Sequence, residues 1–288
     1  MKGLLRLRLA ALGLAACSAG MAAAACPSDI EVARLAARYM ALEPADNPAP
    51  MSVADAACGR DKLVAYLEQQ LGRKAGYKAG LTNPAVQKRF HHDSPVRGTL
   101  FSAMLLPSGA QFPARFGARP LFEADLLVRV KSAAIHQART PAQVMQHIDA
   151  VIPFIELPDL LVQDPARLDG AGITAINVGA RWGVMGEPIK ATPAMVAQLA
   201  AMTVKVLDGD GRELDRGQGR DLMGHPLQAV IWLAEDVRRA GGRLQPGDLL
   251  SLGSFSKLMP PQAGLWVKVV YEGLEGMEGT PEVGVSFR

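Results

Sequence analysis

The sequence of 288 residues lacks the features that mark several large classes of protein. Basic residues do not form runs interleaved with aromatics, and the formal net charge is only +3, so no nucleic-acid partner is expected. The only long apolar run lies at the N-terminus, so no membrane span is expected in the mature chain. Internal repeats and low-complexity segments are also lacking. With 49% hydrophobic residues, a chain of this length can bury a substantial core.

The N-terminal residues 1–25 have the pattern of an export signal. Basic residues precede a short apolar core at Leu9–Ala16, and small residues follow at Ala22–Ala25. Two alternative processing sites fit this pattern. Cleavage after Ala25 is one, and lipidation of Cys17, which follows a lipoprotein-like Leu-Ala-Ala, is the other. In either case we expect an exported, periplasmic protein, and the second case would add a lipid anchor.

Cysteine is scarce, with three residues in the whole chain. Removal or lipidation of Cys17 leaves Cys26 and Cys58. Because disulfides persist outside the cytoplasm, we predict that these two form a bridge that staples the N-terminal segment. The alternative is a pair of free thiols.

The rest of the chain divides by pattern into a helical segment, residues 26–73, and a larger domain, residues 74–288. Ser28 and Glu31 have the spacing of a capping box, and a helix to about Leu42 is predicted. Short apolar runs separated by Gly and Pro follow from Lys74 onward, which favours an α+β fold with a mixed or antiparallel sheet. Further predicted elements are a helix at 52–71, a helix from Thr140-Pro141 to about Ala150, a helix from Thr192-Pro193 to about Met202, a hairpin around Asp208–Gly211, a helix from His225-Pro226 to a stop at Gly241, and strands at 248–252 and 265–271.

Two acidic residues lie two positions apart in the stretch Leu121–Val130. Alternate side chains of a strand share a face, so Glu123 and Asp125 point the same way. Glu156 follows a second apolar run and adds a third carboxylate. Three carboxylates that come together need a cation between them, and oxygen ligands favour Mg²⁺ or Mn²⁺. The alternative is that Glu123 and Asp125 form the solvated face of an edge strand.

Several short motifs occur in the order and spacing of one enzyme family. They are Gly76–Thr82 (GYKAGLT), Gly98–Phe101 (GTLF), Glu123–Asp125 with Glu156, Gly224–Pro226 (GHP), Trp232–Ala234 (WLA), Pro246–Asp248 (PGD) and Gly253–Phe255 (GSF). On these motifs, the stretch from Lys74 to Phe287 resembles the bacterial 2-oxopent-4-enoate hydratases. That group includes 2-oxohept-4-ene-1,7-dioate hydratases and 4-oxalocrotonate decarboxylases, within the fumarylacetoacetate hydrolase superfamily.

The resemblance implies N-terminal helices followed by a mixed β-roll or sandwich, and self-association into a homo-oligomer. It also implies a divalent metal, Mg²⁺ or Mn²⁺, on Glu123, Asp125 and Glu156. The metal would chelate the carboxylate and C2 oxygen of a 2-oxo or 2-hydroxydienoic acid and stabilise negative charge on that oxygen. Lys78 would be an acid/base group or a charge partner of the substrate. The alternative for Lys78 is a solvated surface lysine.

Two further residues are candidates for substrate binding, and the chain departs from the family pattern beside one of them. Ser254 would offer a hydroxyl or backbone donor to the substrate, or else belongs to a simple turn. Asn177 lies in Ala-Ile-Asn-Val-Gly, where the family has Ala-Asp-Asn-x-Ser. Val96 stands where the hydratases commonly have Asp, and Asp125 where they usually have Glu. These changes make metal chelation a firmer expectation than hydration.

The leading hypothesis is a metal-dependent lyase that hydrates an unsaturated 2-oxo acid such as 2-hydroxypenta-2,4-dienoate. A related alternative is the decarboxylation of a 2-oxo diacid. Two alternatives from other classes are an exported protein that binds 2-oxo acids without turnover and a structural module with no site. The family's catabolic pathways are cytoplasmic, so the predicted export leaves the substrate open.

Overall fold

The computed structural model describes residues 25–288. Apart from Ala25, the predicted signal lies outside these residues, as does Cys17. Within the described part of the chain, no helix combines the length and the apolar character needed to cross a bilayer.

Two long helices open the described chain, and both begin where the sequence predicts. At α1, Ser28 and Glu31 form the complete capping box, and Ser52 caps α2. Cys26 and Cys58 are joined by a disulfide that ties the start of α1 to α2, so the predicted bridge is confirmed. The helices are α1 (Asp29–Ala41), α2 (Val53–Leu71), α3 (Pro84–Arg89), α4 (Pro141–Met145), α5 (Gly170–Ala175), α6 (Met195–Ala201) and α7 (Leu227–Arg239).

The strands form two mixed sheets, which confirms the predicted fold class. The larger sheet has the order β2-β1-β11-β5-β6-β7-β3, with β8 beside β6, and the smaller one has the order β10-β9-β12-β13-β4. Parallel and antiparallel pairs occur in both sheets. The strands are β1 (Lys74–Gly80), β2 (Val96–Phe101), β3 (Leu105–Pro107), β4 (Ala110–Phe112), β5 (Glu123–Val130), β6 (Ile148–Leu157), β7 (Trp182–Met185), β8 (Ile189–Lys190), β9 (Thr203–Asp208), β10 (Glu213–Gln218), β11 (Leu249–Ser251), β12 (Trp266–Glu272) and β13 (Glu282–Phe287).

The central strands β5 and β6 are buried on both faces. One face of β5, with Leu126 and Val128, packs into a core shared with the smaller sheet and α7. The other face, with Leu127, packs into a second core that includes Val32 of α1 and Leu63 of α2. The N-terminal helices therefore cover the same face of the sheet that carries Glu123 and Asp125. The division of the chain at residue 73 stays a prediction, although the helices and strands share this core.

One predicted helix is wrong in its extent. Helix α4 has the predicted Thr140 cap but ends at Met145, and residues 148–150 already belong to β6. Ala150 pairs with Arg129 across the sheet, and Ile148 pairs with Val130. The β-branched residues Val151 and Ile152, which follow, also pair with β5. Strand pairing therefore overrides the local helical pattern.

Candidate active site

Two predicted carboxylates meet across the central strand pair. In the antiparallel register of β5 and β6, Glu123 lies directly opposite Glu156. Directly opposed residues of neighbouring strands have side chains on one face and close together. Because β5 lies between β11 and β6, the interpretation of Glu123 and Asp125 as an edge-strand surface is wrong.

Lys78 of β1, which lies two strands away from β5 in the sheet, extends its side chain to Glu156. The residue is only 3% exposed, so the surface-lysine alternative is wrong. Lys78 Nζ donates hydrogen bonds to Glu156 Oε1 and, at 3.0 Å, to the carbonyl of Val178. A buried ammonium and a buried carboxylate are thus paired at the centre of the candidate site.

The carbonyl that accepts from Lys78 belongs to a loop in an unusual backbone conformation. Asn177 and Val178 have φ values of 55° and 54°. A β-branched residue in the left-handed region is rare and strained, and such residues occur where the surroundings hold them in place. Two glycines leave room for Val178 and for the Lys78 side chain. A Cβ on Gly80 would lie 2.4 Å from Val178 Cγ1, and one on Gly98 would lie 2.9 Å from Lys78 Cγ.

The electrostatics of the two opposed glutamates fit a bound cation. Glu156 is 2% exposed, and its Oε2 atom is buried without a hydrogen-bond partner. Burial raises the pKa of Glu123 well above its usual range, and the charge of Glu156 raises it further. Lys78 partly opposes this shift. A divalent cation would satisfy the unpaired oxygen and remove the repulsion between the carboxylates.

Asp125 is on the same face but has other partners. It is fully buried, and it accepts hydrogen bonds from the Ser251 hydroxyl and from the Leu252 and Gly253 amides. Burial, followed by the Glu156 charge, raises the pKa of Asp125 to about 7. Within residues 25–288, no three acidic, His or Cys side chains converge as metal ligands. The predicted set of three carboxylates is therefore present on one face but not assembled around one point.

The two predicted substrate-binding residues occupy different places. Ser254 lines the cavity, where its hydroxyl donates to the Ser256 carbonyl and lies next to Glu123. Asn177 is 1% exposed and lies behind the cavity wall. Its side chain exchanges two hydrogen bonds with the backbone of Thr99, at 2.7 and 2.9 Å. The structure thus gives Asn177 a part in holding the strained loop against β2.

A cavity of about 530 Å³ opens above Lys78 and Glu123. Its wall includes Thr82, and the exposed cations Arg89 and Lys257 also line it. These three residues and the Val178 carbonyl were not predicted from the sequence. Thr82 ends the GYKAGLT motif and was within reach of motif reasoning. Nothing in the sequence signals a left-handed valine or brings Arg89 and Lys257 to one cavity.

Comparisons with known proteins agree with this geometry. No profile of a known protein family matches the chain. In sequence, the chain is 28% identical over 262 residues to a 2-keto-4-pentenoate hydratase of Burkholderia vietnamiensis, covering 88% of this chain and 98% of the relative. It is 25% identical over 225 residues to a 4-oxalocrotonate decarboxylase of a Pseudomonas strain, covering 78% of this chain and 83% of that protein.

A solved structure shows the same fold. The 4-oxalocrotonate decarboxylase of Pseudomonas putida G7, complexed with magnesium and adipate, superposes with a TM-score of 0.77 at 22% identity. The match covers 92% of this chain and 100% of that chain. The resemblance predicted from the motifs is therefore confirmed: the chain is a homologue of 2-keto-4-pentenoate hydratases and 4-oxalocrotonate decarboxylase, with the fold of the fumarylacetoacetate hydrolase superfamily.

Proposed function

We propose that the protein is a divalent-metal-dependent lyase that adds water to an unsaturated 2-oxo acid or its 2-hydroxydienoic tautomer. The observation that carries the proposal is the group of Glu123, Glu156 and Lys78: Lys78 and Glu123 line the cavity, Lys78 and Glu156 are buried, and one oxygen of Glu156 is unpaired. The hydratases and the decarboxylase that the chain resembles act on compounds of this class by name.

Glu123 and Glu156 are the residues that would hold Mg²⁺ or Mn²⁺. Such an ion supplies a positive charge at the carboxylate and C2 oxygen of a bound 2-oxo acid. Glu156 also orients Lys78, because Nζ is held between that carboxylate and the Val178 carbonyl. An ammonium with fixed hydrogen bonds keeps a proton at a defined position, which suits a general acid.

The reaction that fits this arrangement is hydration of 2-hydroxypenta-2,4-dienoate. A hydroxyl from water bonds to C4, C3 and C5 each gain a proton, and the C2 hydroxyl loses its proton as the ketone forms. Lys78 Nζ is the group placed to deliver a proton. Val96, the first residue of β2, stands where the hydratases commonly have Asp, so it supplies no carboxylate for proton transfer. Hydration here therefore depends more heavily on Lys78.

The test follows 2-hydroxypenta-2,4-dienoate by ultraviolet absorbance with residues 26–288 and Mg²⁺, and identifies products by mass. The expected result is metal-dependent loss of absorbance and gain of the mass of one water. Lys78→Met should abolish it, and Lys131→Met, at an exposed lysine, should not. Binding of oxalate with metal but no turnover of any dienoate would instead support the binding-protein alternative.

One observation favours the second candidate, decarboxylation of a 2-oxo diacid. Arg89 and Lys257 line the cavity, and neither forms an ion pair with another described residue. Two free cations beside the substrate suit a second, distal carboxylate. Arg89→Gln and Lys257→Gln should then raise KM for 4-oxalocrotonate but not for the dienoate monoacid. Arg167→Gln, at an exposed arginine outside the cavity, is the matched control.

We also propose export and self-association. The Cys26–Cys58 disulfide supports export, since such bonds persist in oxidising compartments. The exposed apolar side chains Ile30, Met40 and Val53 of the N-terminal helices support a homo-oligomer. Cell fractionation tests the first proposal and light scattering tests the second. Recovery in the cytoplasm with reduced thiols, or a monomer at micromolar concentration, would contradict them.

A further inference from the structure

Asp125 differs from the other two predicted metal ligands in how its oxygens are used. A carboxylate offers about four acceptor positions. Oδ1 of Asp125 accepts from the amides of Leu126, Leu252 and Gly253, the last two at 3.2 and 3.0 Å, and Oδ2 accepts from the Ser251 hydroxyl. Both oxygens of the carboxylate therefore accept hydrogen bonds, three on Oδ1 and one on Oδ2, and the side chain is fully buried.

The backbone around Asp125 is held just as closely. Tyr271, from the smaller sheet, donates its hydroxyl to the Asp125 carbonyl. On either side of Asp125, the Phe255 amide donates to the Ala124 carbonyl and the Leu252 amide donates to the Leu126 carbonyl. Hydrogen bonds thus join β5 to the segment after β11 on both sides of Asp125. They leave the Asp125 side chain little freedom to adopt another direction.

The turn that Asp125 holds leads directly into the cavity. Gly253 has φ of +106°, and a Cβ there would lie 2.2 Å from Thr82 Oγ1. The next residue, Ser254, lines the cavity, but Asp125 itself does not. The carboxylate of Asp125 therefore acts on the site through the turn that it anchors.

The length of the side chain explains the difference. The resemblance leads one to expect Glu at position 125, and Asp is shorter by one methylene. The shorter side chain ends at the amides of Leu252 and Gly253, whereas Glu123 reaches the cavity and Glu156 keeps an oxygen unpaired. A cation would find an oxygen without a partner on Glu156, whereas both oxygens of Asp125 already bind the turn after β11.

We propose that Asp125 is a positioning residue for the turn 251–253, and that the divalent cation is bound through Glu123 and Glu156 without Asp125. This inference rests on the proposed metal-dependent function. It predicts a cation that keeps more of its water than three carboxylates would allow, because fewer protein oxygens replace the hydration shell.

The experiment uses Mn²⁺ as the probe and does not need turnover. Bound waters are counted by ¹⁷O-water electron–nuclear double resonance in the wild type and Asp125→Asn, because Asn keeps the acceptor for the three amides. Loss of a nearby charge weakens Mn²⁺ binding in this variant, but the count of bound waters should stay unchanged. Glu123→Gln and Glu156→Gln should each add a water or lose binding altogether.

A second measurement tests the positioning role. The affinity of the Mn²⁺-loaded protein for oxalate should fall in Asp125→Ala, where the turn loses its anchor, and return toward the wild-type value in Asp125→Asn. A crystal of the wild type soaked in MnCl₂ decides the ligand set without any variant, and the turn should keep its bonds to Asp125 there.

Three results would overturn the inference. They are an Asp125 oxygen bonded to Mn²⁺ in the crystal, an additional bound water in Asp125→Asn, and a wild type that binds no Mn²⁺. Failure to turn over any dienoate, with the Mn²⁺ results as expected, would refute the proposed function and leave the ligand set standing. The two failures are therefore distinguishable.

Discussion

Replacing Lys78 by Met should destabilise the metal-free protein severely. Lys78 and Glu156 are 3% and 2% exposed, so their charges depend on each other and not on solvent. Methionine has a similar length, so the substitution removes the charge with little change of volume. Removing one partner of a buried pair costs about 3–5 kcal/mol. A typical domain has only about 5–15 kcal/mol of stability.

A divalent cation should reverse much of this loss. Without Lys78, a cation on the glutamates meets no competing ammonium, so the variant should bind Mn²⁺ more tightly than the wild type. A cation present at about 100 times its Kd adds about 2.7 kcal/mol to the stability of the folded state. Mn²⁺ should therefore raise the free energy of unfolding more in Lys78→Met than in the wild type.

The assay is urea unfolding of residues 26–288 by circular dichroism, in EDTA and in MnCl₂. Lys131→Met is the control, and a surface change of this kind should alter stability by less than about 0.5 kcal/mol. In the double variant with Glu156→Gln, the loss should be smaller than the sum of the single losses, because the two side chains interact. A loss below about 1 kcal/mol for Lys78→Met in EDTA would refute the reasoning, as would equal stabilisation of both proteins by Mn²⁺.

Three further predictions concern other parts of the structure. Replacing Cys26 and Cys58 by Ser should lower the free energy of unfolding by about 3.7 kcal/mol, the loop-closure value for a separation of 32 residues; an unchanged urea midpoint would contradict this. Burial lowers the pKa of His225, so its contribution to stability is present above pH of about 6.5 and is lost as the pH falls through the lowered value. His225→Asn should therefore lose less stability than the wild type between pH 7 and pH 5, and parallel pH profiles would contradict this. Gly98→Ala, which brings a Cβ within 2.9 Å of Lys78 Cγ, should lower kcat about tenfold or more while Mn²⁺ still binds, and unchanged kcat would contradict this.

The local pattern of the sequence was sufficient for most of the elements. The Ser28 capping box, the Asp208–Gly211 hairpin and the helix after His225 depend on interactions between residues close in the chain, so they are readable without the fold. The same holds for the alternation that places Glu123 and Asp125 on one face. The Cys26–Cys58 pair was also predictable, because loss or lipidation of Cys17 in the predicted signal would leave two cysteines and a single bridge between them.

The roles of the acidic residues were decided by tertiary structure. The pairing of β5 with β6 sets Glu123 opposite Glu156, and a shift of one residue would have sent one of them to the other core. The pairing of β11 with β5 brings Ser251 and the amides of Leu252 and Gly253 to the Asp125 carboxylate. Neither register follows from the residues of a single strand.

By itself, then, the sequence determined the types of side chain, the faces on which they lie and the family that they resemble. Only the tertiary structure decided that Lys78 is buried against Glu156, that Val178 presents its carbonyl from a left-handed backbone, and that residues 148–150 leave a helix for a strand. The physical reason is the separation along the chain between the residues that interact. Capping, alternation and turn preferences act over a few residues, whereas burial, strand register and backbone strain depend on segments that are distant in the chain and meet only when the core has formed.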